Sequence, residues 1–182
     1  MVIRDTATGY GLVTRTLHWL MALAIFFLFG LGYWMVGLDY YSPYYVSAPD
    51  LHRSLGLIAG LMLVVRLVWV ASNEHPSDAE LSPFERLAAR AAHWSFYPLI
   101  LLVVASGYFI ATSDGRPINV FGLVTVPSIV ADKSMTDLAG LVHRYSAYAT
   151  IALAILHALA ALKHHFLDRS SILSRMLTGP PS

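Results

Sequence analysis

The sequence has 182 residues, of which 57% are hydrophobic and only 13% charged, with a mean hydropathy of +0.60. A soluble domain carries roughly 25% charged residues, so a disordered chain, a coiled coil and a soluble enzyme all fit poorly. The net charge of +1 supplies no basic field for phosphates, which excludes nucleic acid as a partner. Cysteine is absent, and with it disulfides, thiolate-bound zinc, iron–sulfur clusters and thiol catalysis. The eight histidines are the main ligand-capable chemistry in an otherwise apolar chain.

The hydrophobic excess is concentrated in four runs, at about 17–38, 51–71, 93–112 and 138–162. Each is about the length a helix needs to cross ~30 Å of hydrocarbon. The first opens on Thr16-Leu17-His18-Trp19. It is longer than a secretory h-region and has no small-residue cleavage site after it, so a cleaved signal is not expected. Pro98 falls in the first turns of the third run, where proline is tolerated. The expected fold is all-α: one transmembrane domain over residues 1–182, built as a four-helix bundle in the lipid bilayer.

The connections differ in character. Residues 39–50 are rich in tyrosine and proline, as in a short interfacial loop. Residues 72–92 are polar, and Ser82-Pro83-Phe84-Glu85 predicts a short amphipathic helix with Ser82 as N-cap and Pro83 at its first position. Residues 114–137 form the longest connection, which is ordered only if it packs over something.

Orientation follows from the distribution of Lys and Arg. An N-terminus on the cytoplasmic side puts Arg4, Arg15, Arg66, Arg86, Arg90, Lys163, Arg169 and Arg175 there, and Arg53, Arg116, Lys133 and Arg144 outside. The excess predicts that both termini are cytoplasmic.

Ionisable residues within membrane spans are costly and mark function. His143 and His157 are fourteen residues apart on the fourth span, which places them on one face, roughly 21 Å apart along the helix axis. With antiparallel neighbours, His52 lies level with His143 towards the outer surface. His18 lies level with His157 towards the inner surface, where His93 competes with it. Two histidine pairs at two depths suit two bis-histidine haems stacked across the bilayer, because neutral imidazole ligates iron and a macrocycle fills the width between helices. Gly30, Gly32, Gly56, Gly60 and Gly140 would give such macrocycles room, although small residues in membrane helices also serve helix packing. Arg66, fourteen residues beyond His52, sits inside a span that offers it no carboxylate. It pairs with an inner-haem propionate or snorkels to the headgroups.

The ordered set of His18-Trp19, His52 with Arg66, His93, and His143 followed by His157 and His164-His165 resembles the bacterial cytochrome b561 family. It is most similar to the short diheme members that act as superoxide:ubiquinone oxidoreductases. The likeness runs from Thr14 to about Met176. It implies two haem b groups, an inner one on His18 and His157 and an outer one on His52 and His143, with superoxide as electron donor and ubiquinone as acceptor. Bis-histidine ligation leaves no open iron position, so outer-sphere, one-electron transfer is expected.

Arg53, Arg144 and Lys133 are candidates for steering superoxide by charge, with Arg116 nearby. Aspartates 39, 50, 114, 132 and 137 lie on the same side, so steering depends on local placement. His164, seven residues beyond His157, is the candidate for a quinone contact. The competing expectation is an electron-transfer subunit that docks a periplasmic dehydrogenase or another redox protein through residues 114–137.

Overall fold

The computed structural model describes residues 2–179. Four long helices form the body: α1 (Leu12–Met35), α2 (Ser47–Ala71), α3 (Pro83–Thr112) and α4 (Thr136–Phe166). Each is long and apolar enough to cross a membrane. A hairpin of β1 (Ile118–Val120) and β2 (Val124–Val126) lies between α3 and α4, and a short helix α5 (Ile172–Thr178) follows α4. The architecture is the expected all-α bundle, with α3 packed most extensively on α4 and α1 on α2.

The bundle is apolar on its outside. Met21, Leu63 and Ile100 form a small buried core, supported by Ile25, Met62, Phe96, Tyr97 and Val104. Large side chains such as Leu23, Leu61, Val68 and Leu156 face outwards with more than half their surface exposed. A soluble protein would not leave four helices coated in this way; a bilayer covers them. The buried hydroxyls of Ser106, Thr112, Ser146 and Thr150 avoid the cost of an unmet hydrogen bond by donating back to their own helices. Ser146 Oγ donates to the Val142 carbonyl at 2.5 Å and Thr150 Oγ1 to the Ser146 carbonyl at 2.7 Å.

Helix boundaries depart from the hydropathy reading in one instructive place. The expected amphipathic helix at Ser82 and the third span are a single 30-residue helix. Ser82 caps it as expected, accepting from the Glu85 amide while Glu85 reaches back to the Ser82 amide. Pro83 occupies the first turn. His93 therefore lies well inside α3 rather than at its start, and Pro98 is mid-helix. The helix continues through Pro98, which removes one internal donor. Likewise α1 begins at Leu12, before the Thr16 opening. Its exposed amide end is met by Asp5, which accepts from the Gly11 amide at 2.7 Å and from Thr14 Oγ1 at 2.8 Å.

The two ends of the bundle are distinct. At the hairpin end, Ile118 is buried and β1 packs on α2. Tyr108 Oη donates to the Pro127 carbonyl at 2.7 Å and Ser128 Oγ to the Thr112 carbonyl at 2.9 Å, so the long connection folds over the bundle. At the other end, which carries both termini, α5 lies across the helices. Arg15 and Trp19 of α1 donate to the Leu177 and Met176 carbonyls. Glu80 accepts from Ser170 Oγ, Ser171 Oγ and the Ser171 amide at 2.6–2.8 Å.

Candidate functional site: two histidine pairs

The helices bring the histidines together at both ends of the bundle. At the hairpin end, His52 of α2 faces His143 of α4 with ring centres 6.1 Å apart. At the terminal end, His18 of α1 faces His157 of α4 at 6.2 Å. A metal ion about 2 Å from one nitrogen of each of two rings on opposite sides of it separates the imidazole centres by roughly 6 Å. Both pairs therefore have the spacing that one iron between them requires. His93 of α3 also reaches His157, but at 5.2 Å, shorter than two rings on opposite sides of one ion require. Phe96 stands edge-on to His157 at 5.9 Å, closing the same side.

The chemistry of the rings fits ligation. His143 Nδ1 donates to the Val103 carbonyl at 2.8 Å. A carbonyl only accepts, so the proton sits on Nδ1 and the Nε2 lone pair is free for a metal. His52 Nδ1 is buried with no hydrogen-bond partner among the described residues. Both rings line one cavity, walled by Leu28, Phe29, Val104, Tyr108, Ile118 and Ile151 among other apolar residues. Gly56 also lies on that cavity, with open space where a side chain would stand. An apolar slot with two facing imidazoles suits a flat hydrophobic macrocycle.

Of the other glycines, Gly32 abuts the His52 ring and Gly60 abuts Val104, a helix-packing role. Gly30 and Gly140 face open space. Gly107, which spacing did not single out, lies against the His143 ring. Only the helix pairing reveals it.

Arg66 turns inward. Its Nη2 lies 3.4 Å from His18 Nδ1, so the guanidinium is beside the terminal-end pair. The charges at the hairpin end divide into two groups. Arg53 lines the cavity but is ion-paired with Asp50 and donates to the Pro49 carbonyl. Arg116 is paired with Asp114 at 2.5 Å. Arg144 and Lys133 are exposed and form no ion pair among the described residues.

His164 is drawn into a polar cluster at the terminal end. Its Nδ1 is 2.7 Å from Asp168, and Lys163 Nζ bridges Glu85 at 2.7 Å and Asp168 at 2.8 Å. Glu85, His164 and Asp168 have the composition of a metal site. The Lys163 ammonium already satisfies both carboxylates, however, and fills the cationic position. Hydrogen bonds from Lys163 first, and then His164, hold the Asp168 carboxyl below its ordinary range.

Four apolar helices enclosing two imidazole pairs at opposite ends define a membrane cytochrome of the b type. Comparison with known proteins agrees. Residues 9–179 match the family model for prokaryotic cytochrome b561, and the chain belongs to that family, whose members bind haem b and transfer electrons in the membrane. It is 41% identical over 179 residues to cytochrome b561 homolog 2 of Escherichia coli strain K12, covering 97% of this chain and 95% of that protein. It is 25% identical over 171 residues to the probable superoxide oxidase CybB of Yersinia pestis, covering 92% and 95% of the two chains.

Proposed function

We propose that the protein carries two haem b groups, one between His52 and His143 and one between His18 and His157, and moves electrons from superoxide to ubiquinone. The observation that carries this reading is the pair of ring-centre separations, 6.1 and 6.2 Å, at the two ends of one bundle. The superoxide donor is supported by the name of the Yersinia pestis relative, and by full-length similarity to it. The excess of basic residues beside the termini supports a bacterial inner-membrane location with that end cytoplasmic and the hairpin end periplasmic.

Bound haem b supplies reversible one-electron transfer. In the overall reaction two superoxide ions each lose one electron and leave as dioxygen. One ubiquinone takes up the two electrons and two protons to become ubiquinol. The protein's residues divide the remaining work. His52 with His143, and His18 with His157, would hold the two haems and leave dioxygen no site on the iron. Arg144 and Lys133 attract the anion at the hairpin end, while Arg53 and Arg116 are neutralised by their aspartates. Arg66 supplies a cation for a propionate at the terminal end. At His164 Nδ1 donates to Asp168, which leaves Nε2 to take up a proton from water and pass it to a carbonyl oxygen of the reduced quinone.

The test is stopped-flow absorbance on the purified protein mixed with superoxide, followed by a ubiquinone analogue. Haem reduction within milliseconds and reoxidation by quinone are expected. Slow reduction by superoxide would leave the cytochrome but remove the oxidase activity. A second reading, an electron-transfer subunit for a periplasmic redox protein, is favoured by the exposed apolar side chains Leu123, Val124 and Ile129 on the hairpin connection. Co-purification with a dehydrogenase and partner-dependent reduction would select it.

A further inference from the structure

The histidine pair at the hairpin end is held from behind by the two helices that carry neither ligand. On α3, the Val103 carbonyl accepts from His143 Nδ1 at 2.8 Å and from Ser106 Oγ at 3.2 Å. A helix carbonyl is ordinarily screened from a neighbouring helix by the side chains one turn further on. Here the residue one turn on is Gly107. A Cβ at Gly107 would stand 3.0 Å from His143 Cε1 and 3.1 Å from Nδ1. On α1, Gly32 has the same relation to the opposite ring, with a Cβ 3.1 Å from His52 Cε1 and 3.6 Å from Nδ1.

We propose that Gly107 and Gly32 are positioning residues for the haem ligands. Each omits the one carbon that would hold an imidazole away from the facing helix, and Gly107 thereby admits His143 to the Val103 carbonyl. The inference rests on His52 and His143 being the axial ligands of one haem. The contacts are tight enough that an added methyl group displaces the ring by a few tenths of an ångström. At His143 that displacement acts directly on the hydrogen bond. A ligand imidazole whose other nitrogen donates to a carbonyl is the stronger base and favours the oxidised metal. Weakening the bond therefore raises one midpoint potential and leaves the other in place. Rotation of the ring about its bond to iron also alters the low-spin ferric electron paramagnetic resonance spectrum.

Helix packing alone makes a different prediction, and the chain contains the control. Gly30 lies two residues from Gly32 on α1 and is exposed, and a Cβ added there would meet nothing within 4 Å. Replacing an unencumbered helix glycine by alanine stabilises the helix, and G30A should leave both haem signals unchanged.

The experiment compares G107A, G32A and G30A with the unaltered protein and with H143A, in detergent, by haem content, potentiometric titration and electron paramagnetic resonance. H143A losing one haem tests the ligand assignment on its own. With that loss established, G107A is expected to keep both haems, to shift the reduction equilibrium of one of them about tenfold towards the reduced form, ~59 mV, and to move that haem's resonance. G32A is expected to move the same resonance, and G30A neither. Unchanged potentials and spectra in G107A and G32A would overturn the proposal. So would failure of both variants to accumulate beside a normal G30A, because a packing requirement would then account for the glycines. Retention of both haems in H143A would instead remove the ligand assignment.

Discussion

The ring centre of His93 lies 5.2 Å from that of His157, an ångström nearer than that of His18 at 6.2 Å. The nearer histidine is the worse candidate ligand. Two imidazoles on opposite sides of one iron need the longer spacing, and His93 approaches His157 too closely for that arrangement. His93→Ala is therefore expected to retain two haems per chain, while His18→Ala retains one. The pyridine haemochrome assay on purified variants checks this directly. The opposite pattern would make His93 the ligand.

Four histidines fall at two depths on the sequence alone, because helix rise and antiparallel order are set by backbone geometry. His18 and His93 stay in competition at that level, since both open towards the same end and rise alone does not give lateral distance. The start of α3 is less legible. Glu85, Arg86 and Arg90 are polar, and hydropathy reports the membrane rather than the hydrogen-bonded turns that continue outside it. The hairpin strands are three residues each, too short for a recognisable alternation. Gly107 is invisible in the sequence for a related reason: its importance depends on which face of α3 meets α4.

Arg66 lies 3.4 Å from His18 Nδ1, inside the bundle. A fixed cation favours the reduced, less positive haem. Arg66→Leu should lower the potential of the terminal-end haem by about 2 kcal/mol per electron, which Coulomb's law gives for a charge ~8 Å away at an effective dielectric constant of ~20. The other haem should be unaffected. Redox titration of the variant decides it; two unchanged potentials would return Arg66 to a headgroup role.

Superoxide steering, if local, resides in the unpaired cations. Arg144→Ala and Lys133→Ala are each expected to slow haem reduction by superoxide severalfold at low salt and to flatten its ionic-strength dependence. Arg116→Ala combined with Asp114→Ala, which removes a pair with no net charge, should do much less. Stopped-flow rates across a salt series separate these outcomes, and a rate independent of salt in the unaltered protein would remove steering.

The clasp of α5 is expected to loosen in acid. Ser170, the Ser171 hydroxyl and the Ser171 amide all donate to Glu80, and with the nearby Arg175 they draw its carboxyl down from 4.5 to about 2. A depressed carboxylate stabilises the folded clasp above its unfolded value, and that contribution is lost as pH falls from about 4.5 towards 2. Amide exchange of residues 172–178 should accelerate over that interval. Glu80→Gln should show faster exchange already at pH 7, with little further dependence in the acid range. Identical exchange in the variant and the unaltered protein at pH 7 would contradict the clasp.

Whether one bundle holds two bis-histidine haems is tested most directly by haem b quantified per chain in the unaltered protein and in His52→Ala and His18→Ala. Two haems are expected in the unaltered chain and one in each variant, with a different potentiometric component lost from each. One haem in the unaltered protein, or loss of the same component from both variants, would contradict the two-haem bundle.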